Sequence, residues 1–186
     1  MRSETPSLQW LDTGVPGPNV LLPVSLLRDW SGSLPPKDGR AIQATFRWQG
    51  AGDATDYDRA CDVNDAAAIL AVGAGQAIAL YAEGAMPIAW KPTTTGGMLL
   101  AQLYTSERRG LPKELPMVPP HLTWESVGEF TTDGAVLRLC HAAEAGDAKA
   151  ALSTLDVQLA AGRYQVESAT LHDPQMELWL VRLEPI

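Results

Sequence analysis

The chain has 186 residues, of which 46% are hydrophobic and 19% are charged. This composition is typical of a globular protein and excludes a disordered or coiled-coil chain, so we expect residues 1–186 to form a single domain. Twenty-two acidic against fourteen basic residues give a net charge of −8. Such a charge repels nucleic acids and anionic membranes and attracts basic partners, although it is equally typical of a protein kept soluble by its surface.

The first thirty residues are interrupted by prolines and by acidic residues such as Glu4 and Asp12. They therefore lack the continuous apolar core of a signal peptide, and no later stretch has the length and hydropathy of a membrane span. We expect a cytoplasmic protein that contacts neither membrane nor nucleic acid. In that reducing compartment Cys61 and Cys140 are expected to be two buried, unpaired thiols.

The first predicted elements are a short strand and one turn of helix. Residues 20–22 are apolar and precede Pro23, which predicts a strand that ends there. Ser25 is a suitable N-cap for a helical turn over residues 26–30, and Gly32 would end it. The prolines and glycines that follow indicate a loop.

Residues 41–48 show a clear alternation of apolar and polar side chains. Every second position is apolar, the set being Ile42, Ala44, Phe46 and Trp48. A period of two is the pattern of a strand with one buried and one solvated face. The sequence therefore predicts a strand here.

Residues 50–65 are polar and acidic, and we predict a surface loop with a short ordered piece around Tyr57. Either it is a solvated loop, or it is a recognition surface whose carboxylates meet Lys and Arg of a partner while Tyr57 anchors the contact. It lacks the glycine and the terminal glutamate of a calcium-binding loop. The candidate partner-binding residues are Asp53, Asp56, Tyr57, Asp58, Arg59 and Asp62, although Arg59 has internal pairing with a nearby aspartate as its alternative.

Residues 66–90 are apolar and carry regularly spaced glycines, which favour two or three short strands over an Ala-rich helix. Gly73 and Gly75 are not followed by the third glycine of a dinucleotide-binding motif, so they predict a hairpin turn. Residues 98–104 fit either a strand or a short helix.

The proline-rich residues 106–121 predict a long surface loop. Residues 124–130 and 135–140 have the pattern of two strands, and the intervening Thr132, Asp133 and Gly134 predict that they form a hairpin. Residues 142–153 fit a short helix or a loop.

The C-terminal part predicts three strands joined by two tight turns. Residues 155–159 alternate apolar and polar side chains, and the pattern resumes at Tyr164 and Val166. Residues 176–183 are apolar on both faces, which indicates a central, buried strand. The predicted fold class is mostly β, with antiparallel sheets that form a sandwich or an open barrel and with one or two short helices.

No set of residues in the sequence has the spacing of a catalytic, metal or cofactor site. His121, His141 and His172 are isolated from one another, and the two cysteines lie far apart in the sequence. Cys140 and His141 are neighbours on a predicted strand and would point to opposite faces. We therefore expect no enzyme activity, no metal and no cofactor.

Several short blocks of the sequence resemble the immunity protein 21 family of bacterial polymorphic toxin systems. They extend over nearly the whole chain and comprise residues 10–18, 21–23, 26–32, 56–61, 162–166 and 180–183. The resemblance implies a mostly β protein that neutralises a cognate toxin made by the same cell. It implies no catalytic residues.

The resemblance leads to the hypothesis of an immunity protein that binds its toxin stoichiometrically and occludes the active site. A basic nuclease domain is one such toxin, since an acidic inhibitor matches its charge. The alternatives are a small-ligand-binding β module lined by Trp10, Trp90 or Trp179, for which ordinary core packing is the simpler reading, and a small hydrolase built from carboxylates and a histidine.

Overall fold

The structure, a computed structural model, describes residues 8–36, 39–50, 52–81, 86–104, 118–134, 136–147, 149, 152–173 and 176–186. These residues are mostly β, as the sequence predicted. Two short helices accompany the strands, a 3₁₀ helix at Val24–Asp29 and α1 at Asp56–Cys61. The strands are β1 Gln9–Leu11, β2 Asn19–Pro23, β3 Ala67–Val72, β4 Gly75–Leu80, β5 Ile88–Pro92, β6 Gly97–Tyr104, β7 Glu125–Thr132, β8 Val136–His141, β9 Leu155–Gln158, β10 Gly162–Asp173 and β11 Met176–Pro185.

The strands form two antiparallel sheets. The first has the order β1-β5-β6-β11-β10-β7 and the second the order β3-β4-β2-β8-β9. Strands β10 and β11 form a long hairpin in which Ala169 is opposite Leu180. Because β11 also pairs with β6, the prediction of a central last strand is confirmed.

The two sheets pack face to face around one apolar core, so the molecule is a sandwich. In β4, Ile78 and Leu80 face this core, whereas Ala77 and Ala79 face the other side of the sheet. Central strands are apolar on both faces because each sheet is covered on both sides. The core takes large side chains from both sheets, among them Leu21, Leu139, Phe130, Tyr164 and Val181.

Each sheet also has a covered outer face. The outer face of the second sheet packs against the 3₁₀ helix and α1, through side chains such as Leu27, Tyr57 and Ala60. The outer face of the first sheet, which includes Trp10 of β1, packs against Val118, Leu122 and Trp124. No helix among the described residues is both long enough and apolar enough to cross a membrane.

The strands predicted over residues 66–90 are present as β3, β4 and β5, and residues 73–74 form the predicted turn. Residues 98–104, which fitted either a strand or a short helix, lie in strand β6. The hairpin predicted between residues 124 and 140 is wrong. Strand β7 pairs with β10 in the first sheet, whereas β8 lies between β2 and β9 in the second. The turn at Gly134 therefore carries the chain from one sheet to the other.

Three further predictions have mixed outcomes. The turn after β9 also crosses between the sheets, so the three C-terminal strands do not share one sheet. The described part of residues 142–153 consists of turns and bends and contains no helix, and the loop predicted over residues 106–121 lies largely outside the described residues.

The strand predicted over residues 41–48 is wrong, because this segment has no strand pairing and runs irregularly over the surface. Its alternating apolar side chains do not enter a core, since Phe46 and Trp48 are exposed. The short ordered piece predicted around Tyr57 is present as α1. Its predicted place in a surface loop is wrong, because residues 54–58 are buried.

Candidate functional site

Helix α1 begins with a capping box. The Thr55 hydroxyl accepts a hydrogen bond from the backbone N–H of Asp58, and the Asp58 carboxylate accepts one from the backbone N–H of Thr55 at 2.8 Å. This reciprocal arrangement satisfies N–H groups that the first helical turn leaves unpaired. The Thr-x-x-Asp spacing is the signal in the sequence that could have predicted the helix.

Asp56 is the centre of a buried ionic cluster. Its carboxylate is 0% exposed and lies 2.7 Å from Arg40 Nη2 and 2.6 Å from Arg59 Nη2. The same carboxylate accepts a hydrogen bond from the backbone N–H of Ser31 at 2.7 Å. A buried carboxylate requires such compensation, and here it ties α1 to the segment after the 3₁₀ helix.

Arg59 contributes to the same packing. Its guanidinium carbon lies 5.3 Å from the centre of the buried Trp30 ring, and its Nη1 donates to the carbonyl of Ala71 at 2.6 Å. The Trp30 indole N–H in turn donates to the carbonyl of Ala142. Burial lowers the pKa of Arg59, and the nearby Asp56 carboxylate opposes that effect.

Asp58 and Asp62 hold residues 41–50, which we call the aromatic loop. The backbone N–H of Trp48 donates to Asp58 at 2.7 Å. The backbone N–H groups of Thr45 and Phe46 donate to Asp62 at 2.5 and 2.8 Å, and the Thr45 hydroxyl adds a third bond at 2.6 Å. These carboxylates replace the neighbouring strand that a β structure would need.

The pKa values of these two carboxyls reflect the same contacts. Burial raises the pKa of Asp58, but hydrogen bonds from Trp48 and Thr55 outweigh it and leave the pKa below 3.8. Burial also raises the pKa of Asp62, but hydrogen bonds from Thr45 and Phe46 outweigh this effect. The pKa of Asp62 is therefore lowered. Both side chains are therefore charged near neutral pH.

Tyr57 lies between the aromatic loop and the second sheet. Its ring contacts the Trp48 ring edge-on, with 5.8 Å between the ring centres, and stacks on the His141 ring, with 6.0 Å between the ring centres. Burial raises the pKa of Tyr57 to about 12. A Cβ at Gly17 would lie 2.8 Å from His141 Nε2 and 2.9 Å from the Tyr57 hydroxyl, so only glycine leaves room for this stack.

The six candidate partner-binding residues thus have different surroundings. Asp56, Tyr57 and Asp58 are buried, Arg59 and Asp62 are half-buried, and Asp53 is exposed. The structure brings five of them together on α1 and its C-terminal cap, where they contact the rest of the fold. Their direct contact with a partner stays a prediction, and it concerns Asp53 most directly.

The accessible aromatic side chains beside α1, Phe46 and Trp48, were not predicted from the sequence. Trp48 is 63% exposed and Phe46 is 40% exposed. The alternation in residues 41–48 suggested burial. The pattern itself does not distinguish a buried strand from a loop that is held by hydrogen bonds to carboxylates. The carboxylates of Asp58 and Asp62, four residues apart, are the features that make the loop possible.

Burial shifts the pKa values of the ionisable groups near α1. Burial raises the pKa of the Cys61 thiol to about 11 and that of Cys140 to about 12, so neither is a thiolate at neutral pH. Burial also lowers the pKa of His141, whose ring contacts the Pro16 carbonyl. Across the described ranges there is no group of three or more potential metal ligands.

The tryptophans proposed to line a ligand pocket are separated in the structure. Trp90 is in the sandwich core, whereas Trp10 packs on the outer face of the first sheet. The space beside Trp179 is about 10 Å³, which is no more than one water molecule requires. These rings serve packing.

Comparison with models of known protein families gives a match over most of the chain. The model of the family described as immunity protein 21 matches residues 9–176. No curated protein and no solved structure matches the chain. Because the match covers most of the chain, including α1 and the aromatic loop, the chain belongs to the immunity protein 21 family.

Proposed function

We propose that this protein is a cytoplasmic immunity protein that neutralises a cognate bacterial toxin by binding it one to one and occluding its active site. The observation that carries the proposal is the family match over residues 9–176. Inhibition by binding requires a rigid surface and complementary charge, and it requires no reacting groups. A two-sheet sandwich braced by a buried ionic cluster provides the rigid surface.

The charge of the chain supports a basic partner. At a net charge of −8, the protein attracts basic surfaces and accelerates their encounter. A nuclease domain that grips phosphate has such a surface. We therefore propose a basic toxin domain, with nuclease domains as the first class to test.

The experiment begins with the toxin domain encoded beside this gene, produced in cells with and without this protein. Protection of the cells identifies the cognate pair. The purified immunity protein is then titrated into a fixed amount of active toxin. Stoichiometric inhibition predicts that toxin activity falls linearly and reaches its minimum at one equivalent.

Two results would contradict the proposal. Failure to protect cells from any toxin domain encoded beside the gene would remove the immunity function. Complete loss of toxin activity at a small fraction of one equivalent would show that this protein modifies the toxin catalytically. Isothermal titration calorimetry with a catalytically inactive toxin supplies the stoichiometry and the Kd independently.

A further inference from the structure

We infer that the aromatic loop is the surface that contacts the toxin, with Trp48 as its central anchor and Phe46 beside it. This inference rests on the proposed function and adds the contact site. It commits to one occupant, a basic protein surface with an apolar recess that accepts the Trp48 indole between Lys or Arg side chains.

The exposure of these side chains is the first argument. Trp48 and Phe46 are 63% and 40% exposed, and Leu34, whose chain neighbours Ser33 and Pro35 line the same groove as Trp48, is 54% exposed. Large apolar side chains that come together on a surface mark a protein interaction site. Tryptophan in particular is enriched among the residues that contribute most to interface affinity.

The rigidity of the loop is the second argument. Asp62 accepts from the backbone N–H groups of Thr45 and Phe46, and Asp58 accepts from that of Trp48. The Trp48 ring is further positioned by its edge-on contact with the buried Tyr57. A loop that is already ordered loses little conformational entropy on binding, so more of its contact energy becomes affinity.

The local chemistry is the third argument. A groove of about 140 Å³ is lined by Ser33, Pro35, Trp48 and Asp53, among others. Asp53 is exposed, and a cation placed in the groove would lie near both its carboxylate and the Trp48 indole. Arg47 also lines the groove, but its Nη1 donates to the carbonyls of Ala44 and Phe46 and is thereby directed to the loop itself.

The Trp48 indole N–H adds a polar contact for the partner. None of the residues that the structure describes accepts a hydrogen bond from it. In a complex it would therefore donate to a toxin carbonyl or carboxylate without breaking a hydrogen bond within the described part of the protein. Tryptophan is suited to this position because one side chain combines a large apolar area with a donor.

The test compares Trp48→Ala and Phe46→Ala with the wild type, using the inactive toxin domain as the probe. Ile186→Ala and Val24→Ala are matched controls, because these side chains are also exposed and apolar but do not line the groove beside Trp48. We expect Trp48→Ala to raise the Kd by about 30-fold or more, Trp48→Phe to recover part of the loss, and both controls to bind within about twofold of the wild type.

The charge argument is tested by Asp53→Lys in the same assay. We expect a several-fold lower association rate constant at low salt and a smaller effect at high salt. An unchanged rate at low salt would overturn the basic character assigned to the partner at this loop.

The outcomes separate this inference from the function on which it rests. If the wild type binds the toxin and Trp48→Ala, folded as judged by circular dichroism, binds equally well, the loop is not the contact and the immunity function stands. If the wild type does not bind, both fall. If the purified protein alone forms a dimer that Trp48→Ala converts to a monomer, the loop serves self-association and the inference is overturned.

Discussion

Removing the Asp56 carboxylate by Asp56→Ala should destabilise the fold strongly. The substitution leaves Arg40 and Arg59 without their shared counter-charge and Ser31 with an unsatisfied buried N–H. Breaking a buried ion pair by removing one partner costs about 3–5 kcal/mol. The side chains of Arg40 and Arg59 are 25% and 16% exposed, so water partly rehydrates them in the variant. The expected loss of unfolding free energy is therefore near the lower limit, about 3 kcal/mol.

The free energy of unfolding is measured by urea titration with tryptophan fluorescence as the signal. In a thermal unfolding experiment on a protein of this size, a loss of about 3 kcal/mol corresponds to a decrease in Tm of about 6–12 °C. Asp53→Ala is the matched control, since this aspartate is exposed and its removal should change stability by less than about 0.5 kcal/mol. A loss below about 1 kcal/mol for Asp56→Ala, with an unchanged m-value, would refute the view that the buried cluster braces α1.

Three other predictions follow from the same contacts. Asp62→Ala removes the hydrogen bonds that hold the backbone of Thr45 and Phe46, so trypsin should cleave after Arg47 faster in the variant. Equal cleavage rates would contradict the view that Asp62 holds the loop. The pKa of Asp58 is lowered on folding, so its stabilisation is fully present above the unfolded pKa and is lost as the pH falls through the folded pKa. The stability difference between wild type and Asp58→Asn should therefore be constant above about pH 5 and shrink below about pH 4, and a difference that persists in strong acid would oppose this. Burial raises the pKa of Cys140 to about 12, so a disulfide reagent at about pH 8 should label it only as fast as the protein opens, and immediate labelling would count against its burial.

The strands of the sandwich were predictable because their side chains follow simple periods. In β2, Leu21 faces the sandwich core while Val20 and Leu22 face the helical layer. Such a run, apolar on both faces and closed by Pro23, is readable without knowledge of its neighbours. The same reasoning placed β11 in the centre of a sheet.

Strand pairing was not predictable to the same degree. A short turn such as that at Gly134 is compatible with a hairpin and equally with a crossing from one sheet to the other. The choice depends on whether β7 finds a better partner in β10, which is thirty residues away in the sequence. Local turn residues carry no information on that competition.

The aromatic loop shows a second limit of sequence patterns. Alternation predicts a strand only when a neighbouring edge satisfies the backbone N–H groups. Here Asp58 and Asp62 satisfy them instead, and Phe46 and Trp48 remain outside. A period of two therefore indicates an extended chain, and the partner of its hydrogen bonds decides whether it joins a sheet.

The acidic residues on α1 differ from exposed carboxylates in how strongly they act on a partner. Asp56 is acidic, but Arg40 and Arg59 lie against its carboxylate within the fold. Its field at a partner's surface is weaker than that of a solitary carboxylate, because the opposite charges beside it cancel part of it. The salt dependence of association should therefore follow exposed carboxylates such as Asp53. The affinity itself should follow Trp48, which the buried carboxylates hold in place.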